Sequence, residues 1–338
     1  MPTLIRTPQE LLAEKLSKES LATLEKVHEH FSISLTSAVR ETIQAIDDPV
    51  ALQYVPRIEE LNIQNFEQED PISDEKYTPT EGVVHRYPDR CLLKISNVCP
   101  VYCRFCFRKE KIGPGSKALG PQAREAAYHY IANHPEIWEV ILTGGDPLIL
   151  NPNLLRGVIE SLSHIPHVRV IRIHTRVPVT DPSRITAELL EALETEKMLI
   201  IGLHANHPQE FSPSAKAALK KIRLAGIPLV SQSVLLKGIN DDAETLMLLM
   251  RTFMENGVKP YYLHHLDPAR GTSHFHVPIH QGQALMEQLR GRLSGLCQPL
   301  YVIDIPGGFG KSPLTPNYLN PEKTEIMDFR GNKHGIKS

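Results

Sequence analysis

From Arg90 onward, short β-rich runs alternate with amphipathic stretches that end at Gly or Pro, and this alternation constrains the fold more than any other feature. The pattern predicts strands over 92–95, 139–142, 168–173, 199–203, 229–235 and 260–263. Helices are expected between them over 122–132, 152–163, 185–194, 213–224 and 243–256, and a further helix over 281–293 precedes an apolar run at 300–305. Strand and helix alternating at this spacing give an α/β fold with a parallel sheet. Six βα units are fewer than the eight of a closed barrel, so a partial, open-sided (β/α)6 barrel is expected, with a doubly wound sheet as the competing arrangement. In either case chemistry collects at the C-terminal ends of the strands.

The rest of the 338-residue chain divides around this core. Residues 1–81 read as an N-terminal helical region: Thr7-Pro8-Gln9-Glu10 carries a capping-box pattern, and the stretch over 62–81 is acidic and turn-rich, a linker or a strap. Residues 82–295 form the barrel core, and 296–338 a C-terminal cofactor-binding segment. With 37 Lys+Arg against 39 Asp+Glu the net charge is −2, which gives no basic field for nucleic acid and leaves small charged metabolites as partners. No apolar run is long enough to span a bilayer and the N-terminus lacks a signal-peptide pattern, so a cytoplasmic protein with no membrane partner is expected.

Five cysteines, an odd number, argue against a disulfide scaffold. Three of them, Cys99, Cys103 and Cys106, form a C-x3-C-x2-C triplet just after the first barrel strand, while Cys91 and Cys297 stand apart. A structural zinc site would call for a fourth Cys or His at comparable spacing, and none is present. Three thiolates without a fourth ligand suit a [4Fe-4S] cluster with one iron open to a small molecule. The second strand ends in Thr143-Gly144-Gly145-Asp146-Pro147, where glycines allow close backbone approach to a ligand.

Near the C-terminus, Asp304-Ile-Pro-Gly-Gly-Phe-Gly-Lys311 places a lysine after a glycine-rich turn. A phosphate-binding Walker loop needs Gly where this chain has Ile305, so Lys311 reads instead as a Schiff-base residue for a carbonyl cofactor. Arg86 and Arg90, in His85-Arg-Tyr-Pro-Asp-Arg90, offer two forked donors for a phosphate. His264 and His265 are adjacent on a strand and so point to opposite faces; one packed and one exposed histidine are expected, not a metal pair.

The triplet at the end of a first strand resembles the radical S-adenosylmethionine (SAM) superfamily. Taken together, HRYPDR, CxxxCRxCxR, GGDPL, HTRVPV at 174–179 and DxPGGxGK followed by PNY resemble the lysine 2,3-aminomutase family over about 82–318. The resemblance implies that Cys99, Cys103 and Cys106 hold the cluster, that the turn at Gly144, Gly145 and Asp146 meets SAM, and that Lys311 forms the aldimine with pyridoxal 5′-phosphate (PLP). It further implies that Arg86 and Arg90 hold the PLP phosphate, that His204 and Gln232 make polar cofactor contacts, with Asn206 a weaker match, and that Arg108 holds the substrate carboxylate. Asp267 and Asp304 match acids facing the distal ammonium of lysine, a pair that disfavours glutamate.

The implied reaction is a 2,3-amino migration from L-lysine to β-lysine, started by a 5′-deoxyadenosyl radical and fed by an electron donor such as flavodoxin or ferredoxin. The compact length and GGDPL resemble the bacterial branch that supplies β-lysine for modification of elongation factor P. With only Cys297 beyond the cluster, the zinc-binding extension and the tetramer of longer relatives are not expected, and the oligomeric state stays open. Arginine or ornithine as substrate, and a non-catalytic zinc-binding protein, are the alternatives.

Overall fold

The computed structural model describes residues 4–7, 10, 18–112 and 115–336. Its centre is a nine-stranded sheet: β1 (Val83–Tyr87), β2 (Arg90–Ser96), β3 (Glu139–Gly144), β4 (Val170–Thr175), β5 (Met198–His204), β6 (Leu229–Val234), β7 (Val258–His264), β8 (Leu300–Asp304) and β9 (Lys311–Pro313). Spatial order follows chain order without a reversal. A doubly wound sheet needs a switch point where that order reverses, so the competing arrangement is excluded and the sheet is the wall of an open half-barrel. Strands β2 to β8 run parallel, and β1 and β9 close the two edges antiparallel.

The crossover helices are α1 (Pro121–Ala132), α2 (Pro152–Ser163), α3 (Ala187–Glu191), α4 (Pro213–Leu224), α5 (Ala243–Glu255) and α6 (Ile279–Leu289). Pro stands in the first turn of α1, α2 and α4, where the missing N–H costs nothing, and Asn151 and Ser212 cap two of those starts. Along β2 the alternation is resolved by burial: Cys91, Leu93 and Ile95 join the core beneath the helices. Arg90 and Leu92, one residue out of phase, line the barrel interior.

The six βα units appear as expected, and the apolar run at 300–305 supplies a seventh parallel strand, β8. Two strands, β8 and β9, lie beyond residue 295, so the sheet does not stop at the expected boundary of the core. The strand expected at 168–173 begins two residues later, because Val168 N–H is held in a turn by Ile165 O. Arg86 lies in the edge strand β1.

Glu10 and Thr7 make the reciprocal capping bonds; of the helical stretch expected after them, residues 11–17 lie outside the described residues and Lys18–His28 is a helix. The N-terminal part contributes a small core of its own, including Leu24, Ile33, Leu35, Tyr54 and Val55, and that core buries Val101 of the cysteine loop. The acidic stretch is a strap: Glu67 accepts backbone N–H bonds from Gly271, Thr272 and Ser273, and Asp74 is buried against the barrel.

Candidate active site

A cavity of about 520 Å³ occupies the barrel interior, and every residue to which the resemblance gives a role lines it: Cys99, Cys103, Cys106, Arg86, Arg90, Arg108, Gly144, Gly145, Asp146, His204, Asn206, Gln232, Asp267, Asp304 and Lys311. Parallel strands that all end at one rim deliver side chains from distant parts of the chain to this volume.

The cysteine loop is fixed from outside the barrel. Tyr102 N–H donates to Ser34 O and Arg104 N–H to Gln53 O, while the fully buried Arg104 guanidinium grips Glu60 with Nε and Nη2 at 2.9 and 2.6 Å. The three thiols are free of disulfides. Burial pushes all three up, Cys106 to about 11, so as thiols they stay protonated until a metal takes the proton's place. Among the described residues no three His, Cys, Asp or Glu groups converge tightly enough for a single metal ion. Three thiols of one loop that face one cavity are a donor set that a [4Fe-4S] cluster would accept.

The Gly144-Gly145 turn differs from the expectation in one respect. A Cβ on Gly144 would overlap Ser96 O, and one on Gly145 would overlap Val98 O, so the glycines make room first for the chain's own loop into Cys99. Asp146 likewise serves the turn: its carboxylate accepts from Thr175 Oγ1 at 2.7 Å, Arg176 N–H at 2.7 Å and Leu148 N–H at 3.1 Å. Gln232 is committed between His174 and His264, and Asn206 between Gln53 and Val234 N–H. His204 differs from both, because its buried Nε2 has no partner. Burial and the neighbouring His264 hold its ring neutral, down to about 3.

At the other edge Asp304 and Lys311 face each other across the β8–β9 ladder, and Lys311 Nζ donates to both carboxylate oxygens at 2.7 and 2.8 Å. Burial works against the Asp304 charge, but His264 and Lys311 overcome it and hold the carboxyl well below its usual range. The Asp267 carboxylate makes no hydrogen bond among the described residues, and burial together with the Asp304 charge pushes it up to about 7. His264 lines the cavity and His265 packs behind it on Tyr301 Oη, so the expected exposed histidine is not found: both faces of β7 are covered.

Residues 93–250 match the model of the radical SAM superfamily, and residues 286–332 match a model described as lysine-2,3-aminomutase. The chain is 39% identical over 328 residues to an L-lysine 2,3-aminomutase of Acetoanaerobium sticklandii, an alignment covering 96% of this chain and 77% of that protein. The chain belongs to the lysine 2,3-aminomutase family. It is thus an isomerase with a radical SAM domain, a class whose cofactors are a [4Fe-4S] cluster and SAM.

Two further relatives frame the aminomutase site. An L-lysine 2,3-aminomutase of Fusobacterium nucleatum is 36% identical, covering 94% of this chain and 76% of that protein. A glutamate 2,3-aminomutase of Clostridioides difficile is 35% identical, covering 93% and 75%. Overall likeness therefore does not separate a cationic from an anionic substrate, and the site has to.

Sequence reasoning missed several groups of this aminomutase site. Arg176 donates to Cys103 Sγ at 3.1 Å and is clamped by Glu210 and Gln53. Arg172 and Glu139 form an ion pair at 3.0 Å along the cavity wall. Asp74, from the strap, pairs with both Arg86 and Arg108. An isolated acid in an acidic stretch carries no signal; only the fold shows that this one is buried. Among the described residues no helix is long and apolar enough to cross a membrane.

Proposed function

We propose that this aminomutase converts L-lysine to β-lysine, with the cluster on Cys99, Cys103 and Cys106, SAM beside it, and PLP on Lys311. The observation that carries the reading is one cavity lined at once by the thiols of Cys99, Cys103 and Cys106, the Lys311 amine, the guanidiniums of Arg86, Arg90 and Arg108, and the carboxylates of Asp267 and Asp304. When bound, the cluster with SAM supplies one-electron hydrogen abstraction and PLP holds the migrating nitrogen, which leaves binding, orientation and exclusion of water to the protein.

Arg108 Nη1 makes no hydrogen bond among the described residues, because Asp74 takes Nε and Nη2, and it is assigned to the substrate carboxylate. Arg86 and Arg90 are assigned to the PLP phosphate; Arg86 Nε is buried without a partner, a donor waiting for an anion. The unpartnered Nε2 of His204 is assigned to a cofactor polar atom, with Gln232 holding the neighbouring histidines in place. The turn at Gly144, Gly145 and Asp146 sets the height of the cysteine loop on which SAM would rest.

Asp267 and Asp304 select the substrate. Asp304 holds a primary alkylammonium, that of Lys311, which is the same group that ends the lysine side chain. Were Lys311 Nζ drawn away from Asp304 toward PLP, Asp304 and the unpartnered Asp267 would face the substrate cation together, and a glutamate carboxylate in their place would face two like charges. Arginine and ornithine present a fork or a shorter arm to the same acids. The reductant is assigned to a flavodoxin or ferredoxin. The product is assigned to elongation factor P, which is tested by loss of its β-lysyl mass increment when the gene is deleted.

The decisive assay incubates anaerobically reconstituted protein with SAM, a reductant and L-lysine, arginine, ornithine or glutamate in turn. Only lysine should yield a β-amino acid. Protein that contains iron, sulfide and PLP yet leaves lysine unchanged, or turns over glutamate equally well, overturns the reading.

A further inference from the structure

Both carboxylate oxygens of Asp74 are committed. Its Oδ1 accepts from Arg86 Nη2 at 3.1 Å, and its Oδ2 accepts from Arg108 Nε and Nη2 at 3.1 and 2.8 Å. The residue is 3% exposed, so these bonds are not shared with bulk water. Arg86 is tied further by Ile72 O at 2.6 Å, and its guanidinium lies 5.3 Å from the Tyr77 ring centroid. Asp74 does not line the main cavity; it faces a smaller one of about 190 Å³ behind it, which Arg108 also lines together with Lys94. The carboxylate thus holds two arginines that both also line the main cavity, and it leaves Arg86 Nε and Arg108 Nη1 without a hydrogen-bond partner among the described residues.

The strap is built to keep Asp74 in place. Asp70 accepts Asp74 N–H and Glu75 N–H, both at 2.9 Å, and Thr78 Oγ1 donates to Asp74 O at 2.8 Å. Burial works against the Asp74 charge, but Arg108, Lys94 and Arg86 outweigh it and hold the carboxyl below its usual range.

We infer that Asp74 is a positioning residue shared by the phosphate-side Arg86 and the carboxylate-side Arg108, so that one strap side chain sets the anion-binding geometry of both cofactor and substrate. The inference rests on the roles proposed above for those two arginines. It makes the strap part of the active site, although it precedes the barrel in the chain. Binding of either anion should be selectively sensitive to Asp74, and the parts of each ligand that carry no anion should not be.

The test uses the anaerobically reconstituted holoprotein and its PLP-depleted form, as wild type, Asp74→Asn and Asp74→Glu. Dissociation constants of PLP and of pyridoxal, which lacks the phosphate, are read by absorbance. Lysine KM is compared with inhibition by cadaverine, which lacks the carboxylate. For Asp74→Asn we expect PLP affinity and lysine KM each to worsen about tenfold, kcat to stay within about threefold, and pyridoxal and cadaverine to be unaffected. Equal weakening of all four ligands, or of none, overturns the inference. Should Asp74→Asn fail to load iron and sulfide, the same comparison on Asp74→Glu decides: its longer arm keeps the charge but displaces both guanidiniums, and unchanged selectivity contradicts the proposal. If wild-type protein binds PLP but does not turn over lysine, the reading of function fails, while PLP against pyridoxal still decides the Asp74–Arg86 half.

Discussion

Lys311 and Asp304 stand directly opposite each other in an antiparallel pair, and the lysine ammonium sits on both oxygens of the acid. The PGGFG turn that joins them makes this possible: Gly307, Gly308 and Gly310 all have positive φ, and a side chain at Gly310 would press on Tyr87 Oη. Tyr87 Oη in turn accepts Lys311 N–H at 2.7 Å, so the two edge strands of the open barrel meet at the residue proposed to carry PLP.

Removing the Asp304 charge should therefore be felt by a lysine substrate. A charged hydrogen bond contributes about 1.5–3 kcal/mol, so Asp304→Asn is expected to raise lysine KM roughly 10- to 100-fold. Steady-state kinetics against lysine concentration check this. An unchanged KM would remove Asp304 from the substrate site.

Asp267 gives a pH signature. Its carboxyl, raised to about 7, loses its charge as pH falls through that value, so lysine KM should rise on the acid side and the rise should disappear in Asp267→Asn. Stability moves the other way. Because the folded-state value is raised from 3.8, ionisation opposes folding, with a cost that begins above the unfolded value and is complete above about 7. Ligand-free Asp267→Asn is thus expected to be more stable than wild type above neutral pH, by on the order of 2–4 kcal/mol, with no difference in strong acid. Urea unfolding of the two proteins across pH measures it.

Gly145→Ala tests the junction between the GGD turn and the cysteine loop. The added methyl overlaps the backbone of Val98, which cannot swing aside as a side chain would, so the loop into Cys99 must shift. Iron and sulfide per chain should fall well below wild type after identical reconstitution.

The Glu60 cluster anchors that loop from the N-terminal side. Glu60 is fully buried between Arg104 and Lys109, whose Nζ lies 3.5 Å away. Burial disfavours the charge, and Arg104 with Lys109 and the Arg57 N–H outweighs it, holding the carboxyl below its usual range. Glu60→Gln would leave a buried guanidinium uncompensated, and a loss of about 3–5 kcal/mol in unfolding free energy is expected.

What the sequence made legible was local. Periodicity gave the βα units, because each strand and helix buries one face within its own few residues. The cysteine triplet and Lys311 stood out because their spacing is set by a single loop or turn. Pairs distant in the chain were not legible: Asp74 with Arg108, Glu60 with Arg104, and Arg176 with Cys103 are 34, 44 and 73 residues apart. Nothing in a stretch such as EQEDPISDEKY distinguishes the acid that is buried from those that are solvated. Coverage of both faces of β7, which hides His265 as well as His264, likewise depends on neighbours that alternation along one strand does not reveal.

The most direct measurement is borohydride reduction of the PLP-loaded, anaerobically reconstituted protein, followed by peptide mass spectrometry. A phosphopyridoxyl group on Lys311, in protein that also carries iron and sulfide and loses them when Cys99, Cys103 and Cys106 are replaced by Ala, is the result predicted here. A label on another lysine, or none in protein with a full complement of iron and sulfide, would contradict the claim that the thiols and this amine serve one cavity.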